Sequence, residues 1–147
     1  MAAVLPSAIL ERVVTALTED PPGFTQARVL AEVYGYTAGS LIHQGFAVSS
    51  RSTTPGPARQ RTSTGAHVDT RVSVVWSWRL RPTDQWTDYK AALDAEQTLI
   101  AACLTEGSSM REGIQITMLD AVRNIHQTGE WVLGELTFSA RHLLSLT

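Results

Sequence analysis

The sequence predicts an α+β fold: a mainly antiparallel four-stranded sheet, helices packed on one of its faces, and a long loop between strands 1 and 2. Three observations predict it. Residues 68–80, VDTRVSVVWSWRL, alternate between two sets of side chains with a period of two, the mark of a strand with one buried and one wet face. The segment after Pro82 carries apolar residues at spacings of three and four, the mark of a helix. Two further extended segments near the C-terminus are joined by the short polar stretch HQTGE, which reads as a hairpin.

The elements follow in order. Pro6 and Ser7 start a first helix, in which Ile9, Leu10, Val13, Val14 and Leu17 keep the helical period until EDPPG stops it. TQARVLAEVYG reads as a shorter helix, with Thr25 as its N-cap and Gly35 as its terminator. From Leu41 to about Arg51 the pattern is extended, Ile42, Gln44, Phe46 and Val48 alternating with His43, Gly45, Ala47 and Ser49. Residues 49–64, SSRSTTPGPARQRTST, then hold three arginines and no acid, and Pro55 and Pro57 flank Gly56, which excludes a helix or a central strand there.

In the long strand that follows, Val68, Thr70, Val72, Val74, Trp76, Trp78 and Leu80 share one face. Val72, Val74, Trp76 and Trp78 are its expected core. Thr83 or Asp84 caps the long helix, whose stripe runs Trp86, Tyr89, Leu93, Glu96, Ile100 and Cys103, with Ala92 and Leu99 beside it. Leu93 and Ile100 are its expected core contacts, and Gly107 closes it. Ile114, Ile116, Met118 and Val122 mark one face of the next strand, and Val132, Leu136 and Phe138 one face of the last.

The 147 residues suffice for one domain with its own core, and 1–147 reads as a single domain without repeats or linker. A hydrophobic share of 44% and a charged share of 18% are globular values, which set aside the disordered and fibrous classes. A net charge of −2 gives no global pull toward nucleic acid or membrane. The charge is uneven, however: no acid lies between Glu32 and Asp69, where Arg51, Arg59 and Arg61 all fall. Eleven of the twelve basic residues are arginine, which either marks surfaces that make planar, multi-donor contacts or reflects a GC-rich genome. No signal peptide or membrane-spanning run is read, and a reducing, cytoplasm-like setting is expected.

Chemistry is sparse. Cys103, the sole cysteine, excludes a disulfide and the paired-cysteine metal signatures, and it falls on an apolar stripe as a small core residue. His67 and Asp69 share a strand face but lack a third ligand, so a solvated strand end is the better reading. Asp120 and His126 read as a polar pair across a hairpin. Glu96 marks a helix edge or pairs with an arginine on the sheet. Trp76 and Trp78 share their face with valines and Leu80, which favours core packing over a base-stacking platform. No phosphate loop or hydrolase motif occurs. The sequence reads as non-enzymatic, with no cofactor or metal.

VVWSW, with Val75, Trp76 and Ser77 at its centre, is followed by a polar break and the helix DQWTDYKAALDAEQTLIAACL. This stretch resembles the tail-terminator (tail-completion, minor tail protein) family of tailed phages and related gene transfer agents. The N-terminal helix, the extended loop and the closing hairpin fit the same order of elements over nearly the whole chain. Trp78 and residues 19–40 have no counterpart in it. The resemblance implies a structural virion protein: a hexameric ring that caps the tail tube, ends its polymerisation and offers its other face to neck or head-completion proteins. DNA would be passing cargo only, no membrane would be involved, and assembly would occur in the host cytoplasm. The family brings no catalytic residues. It implies that the loop, with Arg51, Pro55, Pro57, Arg59 and Arg61, reaches a neighbouring subunit or the tube. Rival readings are another neck or stopper ring subunit, a nucleic-acid-binding module, and a small-molecule enzyme on a ferredoxin-like sheet.

Overall fold

The structure, a computed structural model, describes residues 3–18, 23–27, 41–56, 65–105, 114–126 and 129–145. It is α+β. Helix α1 (Pro6–Thr18) is followed by strands β1 (Thr25–Gln26), β2 (Gly45–Pro55) and β3 (Gly65–Arg79), helix α2 (Gln85–Thr105), and strands β4 (Gln115–Ile125) and β5 (Trp131–Ser145). They form one five-stranded sheet in the order β1-β2-β3-β5-β4. The four long strands pair antiparallel, and β1 joins β2 in parallel. Because β5 lies between them, β3 and β4 run the same way, and α2 makes the crossover that two parallel strands require.

Both helices bury their apolar stripes on one face of the sheet. Ile9, Val13 and Leu17 of α1 and Ala92, Leu99 and Cys103 of α2 share a single cluster with Phe46, Val48, Val72, Val74, Trp76, Val132, Leu136 and Phe138. Pro6 occupies the first helical position of α1, where its missing N–H is no loss. Trp76, fully buried, lies opposite Phe46 on one side and Gly134 on the other. A Cβ on Gly134 would collide with the indole of Trp76, so glycine is the residue that lets the largest core side chain lie flat on the sheet. Trp78 and Ile100 are half-buried and pack against the same cluster.

Four expectations are corrected. Thr25 does not cap a helix: its N–H bonds to the Gln44 carbonyl and it belongs to β1, which makes the sheet five-stranded; residues 28–35 of the expected helix lie outside the described residues. The loop after Arg51 is shorter than expected, because β2 runs on to Pro55 as an exposed strand paired with β3. Gly56 N–H bonds to the His67 carbonyl, so Pro55, one residue earlier, turns its donorless side away from β3, where it breaks no ladder bond.

The buried stripe of α2 runs through Asp88, Ala92, Glu96, Leu99 and Cys103. Trp86, about 120° from the centre of that stripe at 100° per residue, is 70% exposed, and Leu93 is half-buried at the helix flank. Small Ala92 and Cys103 let the helix approach the sheet, whereas the expected stripe placed its largest residues inward. In β4 a bulge between Met118 and Asp120 shifts the register. Ala121 takes the inward position and Val122 is turned outward, 55% exposed. Without the bulge, Asp120 would point at the core, and a carboxylate buried there without a partner is costly.

Trp76→Ala is expected to lower stability by about 3–5 kcal/mol through cavity formation, and Gly134→Ala by about 1–3 kcal/mol through overpacking, each measured by denaturant unfolding. Wild-type unfolding midpoints for both would contradict the packing described.

Candidate functional site

Side chains of the β2–β3 hairpin are held by polar contacts on both faces of the sheet. On the face away from the helices, Arg51 pairs with Glu135 of β5, whose carboxylate also accepts from the Ser73 hydroxyl at 2.7 Å. Farther along, Arg141 grips Asp69 through two hydrogen bonds of 2.9 and 3.1 Å, and this holds the Asp69 carboxyl below its ordinary range. Asp69 is thus the partner of an arginine, not of His67. Among the described residues no cluster of three metal-ligating side chains occurs.

On the helix face, a directional chain of hydrogen bonds reaches the N-terminal segment. The Val4 carbonyl can only accept, so His142 donates to it from Nδ1 at 2.9 Å. Nε2 must then accept from the Thr70 hydroxyl at 2.7 Å, and Thr70 in turn accepts from Thr53 at 3.1 Å. His142 is fully buried, and burial lowers its pKa, which keeps this neutral tautomer in place. Val4 N–H also bonds to the Leu143 carbonyl, fixing the N-terminus beside the end of β5.

A second polar group lies where β3 meets α2. Asp88 accepts from the backbone N–H, Nε and Nη2 of Arg81 at 2.8, 3.0 and 3.0 Å. The Arg81 side-chain bonds, then its backbone N–H, hold the Asp88 carboxyl below its ordinary range. His43 stands edge-on to Trp78 at 4.5 Å and accepts the Arg79 N–H through Nδ1, so Nε2 carries its proton. Burial lowers the His43 pKa. These side chains line a half-open cleft of about 250 Å³.

Glu96, 2% exposed, receives Arg123 of β4 at 2.6 and 2.7 Å. Of the two roles read for Glu96, the pair with a sheet arginine is the one found. The β4 bulge delivers Arg123 to the helix side; in the unshifted register it would face away. The other carboxylate oxygen, Oε2, is buried and has no hydrogen-bond partner. Cys103 is buried, and desolvation pushes its thiol up to about 12, which suits a core residue and not a nucleophile. Asp120 and His126 do not meet: six residues apart on an extended strand, they are separated by about 20 Å, and Asp120 accepts instead from the Ala121 N–H.

Of the expected contact loop, Arg51 is engaged within its own chain and Pro55 ends β2 opposite Val68. Pro57, Arg59 and Arg61 lie outside the described residues. Sequence reasoning placed Thr70 on the buried face of its strand but missed its partner His142, the contact of Asp88 with Arg81, and Gly134. Only Gly134, a glycine inside an alternating strand, carried a local signal for close approach.

No family model matches the chain, and no curated protein matches it. Among solved structures it is similar to the crystal structure of the type 4 fimbrial biogenesis protein PilO from Pseudomonas aeruginosa. The two are 9% identical, with a TM-score of 0.35, over 96% of this chain and 72% of that one. A likeness this distant carries no argument about function.

Two outcomes test the polar network. Arg123→Leu strands the buried Glu96 carboxylate and should cost about 3 kcal/mol in chemical denaturation, whereas Glu96→Leu with Arg123→Leu should recover most of that loss. The pH effect of His142 follows from its lowered pKa: the unfolded chain takes up a proton near the ordinary value of 6.5 that the folded chain resists. Stability should therefore be full above that value and decline as pH falls toward the folded pKa. His142→Gln should flatten part of the slope of melting temperature against pH in that window, with His43 supplying a share of the same sign.

Proposed function

We propose that this chain is a structural virion protein of the tail-terminator type. It forms a ring on the tail tube of a phage or related particle, ends tube polymerisation, and joins the tail to the head through neck or head-completion proteins. The observation that carries this reading is the order of elements around VVWSW: an N-terminal helix, a long antiparallel hairpin, a crossover helix and a closing hairpin. That order extends the sequence resemblance over nearly the whole chain. The β2–β3 hairpin adds support. From Ser50 to Pro55 it is exposed and polar, and Arg51 lies within it, as an arm that contacts a neighbour requires. Trp86, exposed on the first turn of α2, is a second candidate contact, since tryptophan carries a large share of interface energy where it is exposed to a partner.

The role needs no turnover chemistry, and its partners are copies of itself, the tube protein and the neck proteins, with DNA passing through. The finer fold expected for this family is four long antiparallel strands with helices on one face, to which β1 is an addition. A different neck or stopper ring subunit would share these features; a nucleic-acid-binding module is the weaker alternative.

A gene knockout should yield heads and tails that fail to join, with tails of irregular or excessive length under electron microscopy. Normal, joined particles lacking the protein would rule the role out. Immunogold or mass labelling at the neck end of the tail would separate a terminator from a subunit placed elsewhere in the neck.

A further inference from the structure

Among the described residues, five large hydrophobic side chains are exposed, and three of them, Leu119, Val122 and Ile125, lie on β4. Among the described residues β4 is also the last strand of the sheet and pairs with β5 alone, so its other edge has no described strand beside it. An edge strand of eleven residues with this much apolar surface and neither proline nor lysine is built to be covered.

The other margin of the same sheet is complementary to this one in strand direction. At the opposite margin of the sheet, the described residues of β1 pair with β2 at Gly45 and Phe46, and Ser50–Pro55 is exposed beyond them. The charges of the two margins are complementary. On β4, Arg123 is held by Glu96 and Asp120 is the outward acid; on the β2 margin Arg51, though paired with Glu135, stays 61% exposed and keeps donors for a second carboxylate, and no acid lies between Glu32 and Asp69. Directions match as well. β2 and β4 run opposite ways in the sheet, so placing β4 of one copy against β2 of the next continues the antiparallel alternation.

We propose that copies of this chain assemble head to tail by pairing the β4 edge of one with the β2 edge of the next. One register satisfies both kinds of contact. With Ile125 opposite Val48, the apolar side chain enters an open groove of about 590 Å³ lined by Leu10, Val14 and Val48 and by the polar Glu11, Thr15 and Gln26. Asp120 then comes within an arginine's reach of Arg51, both on the face away from the helices. The donorless Pro55 and the bulge in each strand keep the paired stretch short. A heterologous contact of this kind closes into a ring when its rotation permits. The pairing deepens the ring reading above, but it is tested on the purified chain alone.

The mass of the full-length protein is measured by light scattering over a concentration series, together with disulfide trapping. One preparation carries Ser52→Cys and another Val122→Cys; buried Cys103 stays in place. Mixed and oxidised, they should give a cross-linked pair, and neither should cross-link alone. Asp120→Arg and Val122→Lys should each raise the midpoint concentration of assembly about tenfold or more, with the melting temperature unchanged for exposed Val122→Lys and lowered only slightly for Asp120→Arg, which gives up an exposed hydrogen bond from the Ala121 N–H. Cross-linking of Val122→Cys with itself would mean a two-fold β4–β4 contact and would overturn the proposal. So would a monomer at every concentration, or assemblies indifferent to both β4 substitutions. A monomeric purified chain with a tail-defective knockout would sink this pairing and leave the tail role standing. Ring assembly with normal particles in the knockout would do the reverse.

Discussion

The seating of Trp76 on Gly134 is the constraint on which the rest of the structure depends. Trp76 sits in β3, which has a long neighbour on each side, and its ring fills the space between sheet and helices. The ring can lie there only because the facing residue on β5 has no side chain. Its indole N–H is buried without a hydrogen-bond partner, a cost of about 1–3 kcal/mol for a neutral donor. That cost is offset by apolar contact, since a buried tryptophan removes more surface from water than any other side chain. α2 can approach such a ring closely because it presents Ala92 and Cys103 on its buried stripe.

The β4 bulge is the second decision point, and it settles three matters at once. It turns Asp120 out of the core, brings Arg123 round to Glu96, and leaves Val122 on the outer surface. A buried carboxylate on α2 thereby gains its cation from the edge strand, which ties the crossover helix to the sheet margin it spans. The same shift puts an exposed apolar side chain, Val122, on the outer face of that margin. An electrostatic requirement inside the monomer therefore shapes the surface offered to other molecules.

Polar contacts also fasten the two ends of the long hairpins. Thr53, Thr70, His142 and the Val4 carbonyl form one chain in which each hydroxyl or ring nitrogen has a fixed direction. It links β2, β3, β5 and the N-terminal segment where the apolar core thins out. On the other face Asp69–Arg141 and Ser73–Glu135–Arg51 cross the same strands. Exposed ion pairs of this kind add little stability singly, but across neighbouring strands they fix register, since a slip of one residue would place each group on the wrong face.

The sequence by itself determined the elements with strong periods: α1, β3, the existence of α2, and the β4–β5 hairpin. Their side-chain repeats follow from backbone geometry, and this is why Val72, Val74 and Trp76 could be placed in the core from the pattern alone. It also marked Glu96 as an acid on an apolar stripe, at a helix edge or paired with a sheet arginine, and left the choice between them open. Tertiary structure decided what local pattern does not encode. The two-residue β1 exists only because β2 is there to pair with, and β2 continues through a polar stretch because β3 supplies its hydrogen bonds. The α2 stripe was rotated by the fit of small residues against the sheet, not by the sum of apolar character around the helix. The β4 bulge could be seen only once burial of Asp120 had to be avoided. His142 reads as an unremarkable residue in a strand until Val4, at the far end of the chain, is brought to it. In each case the deciding energy is a contact between residues distant in sequence, which a period of two or of 3.6 cannot carry.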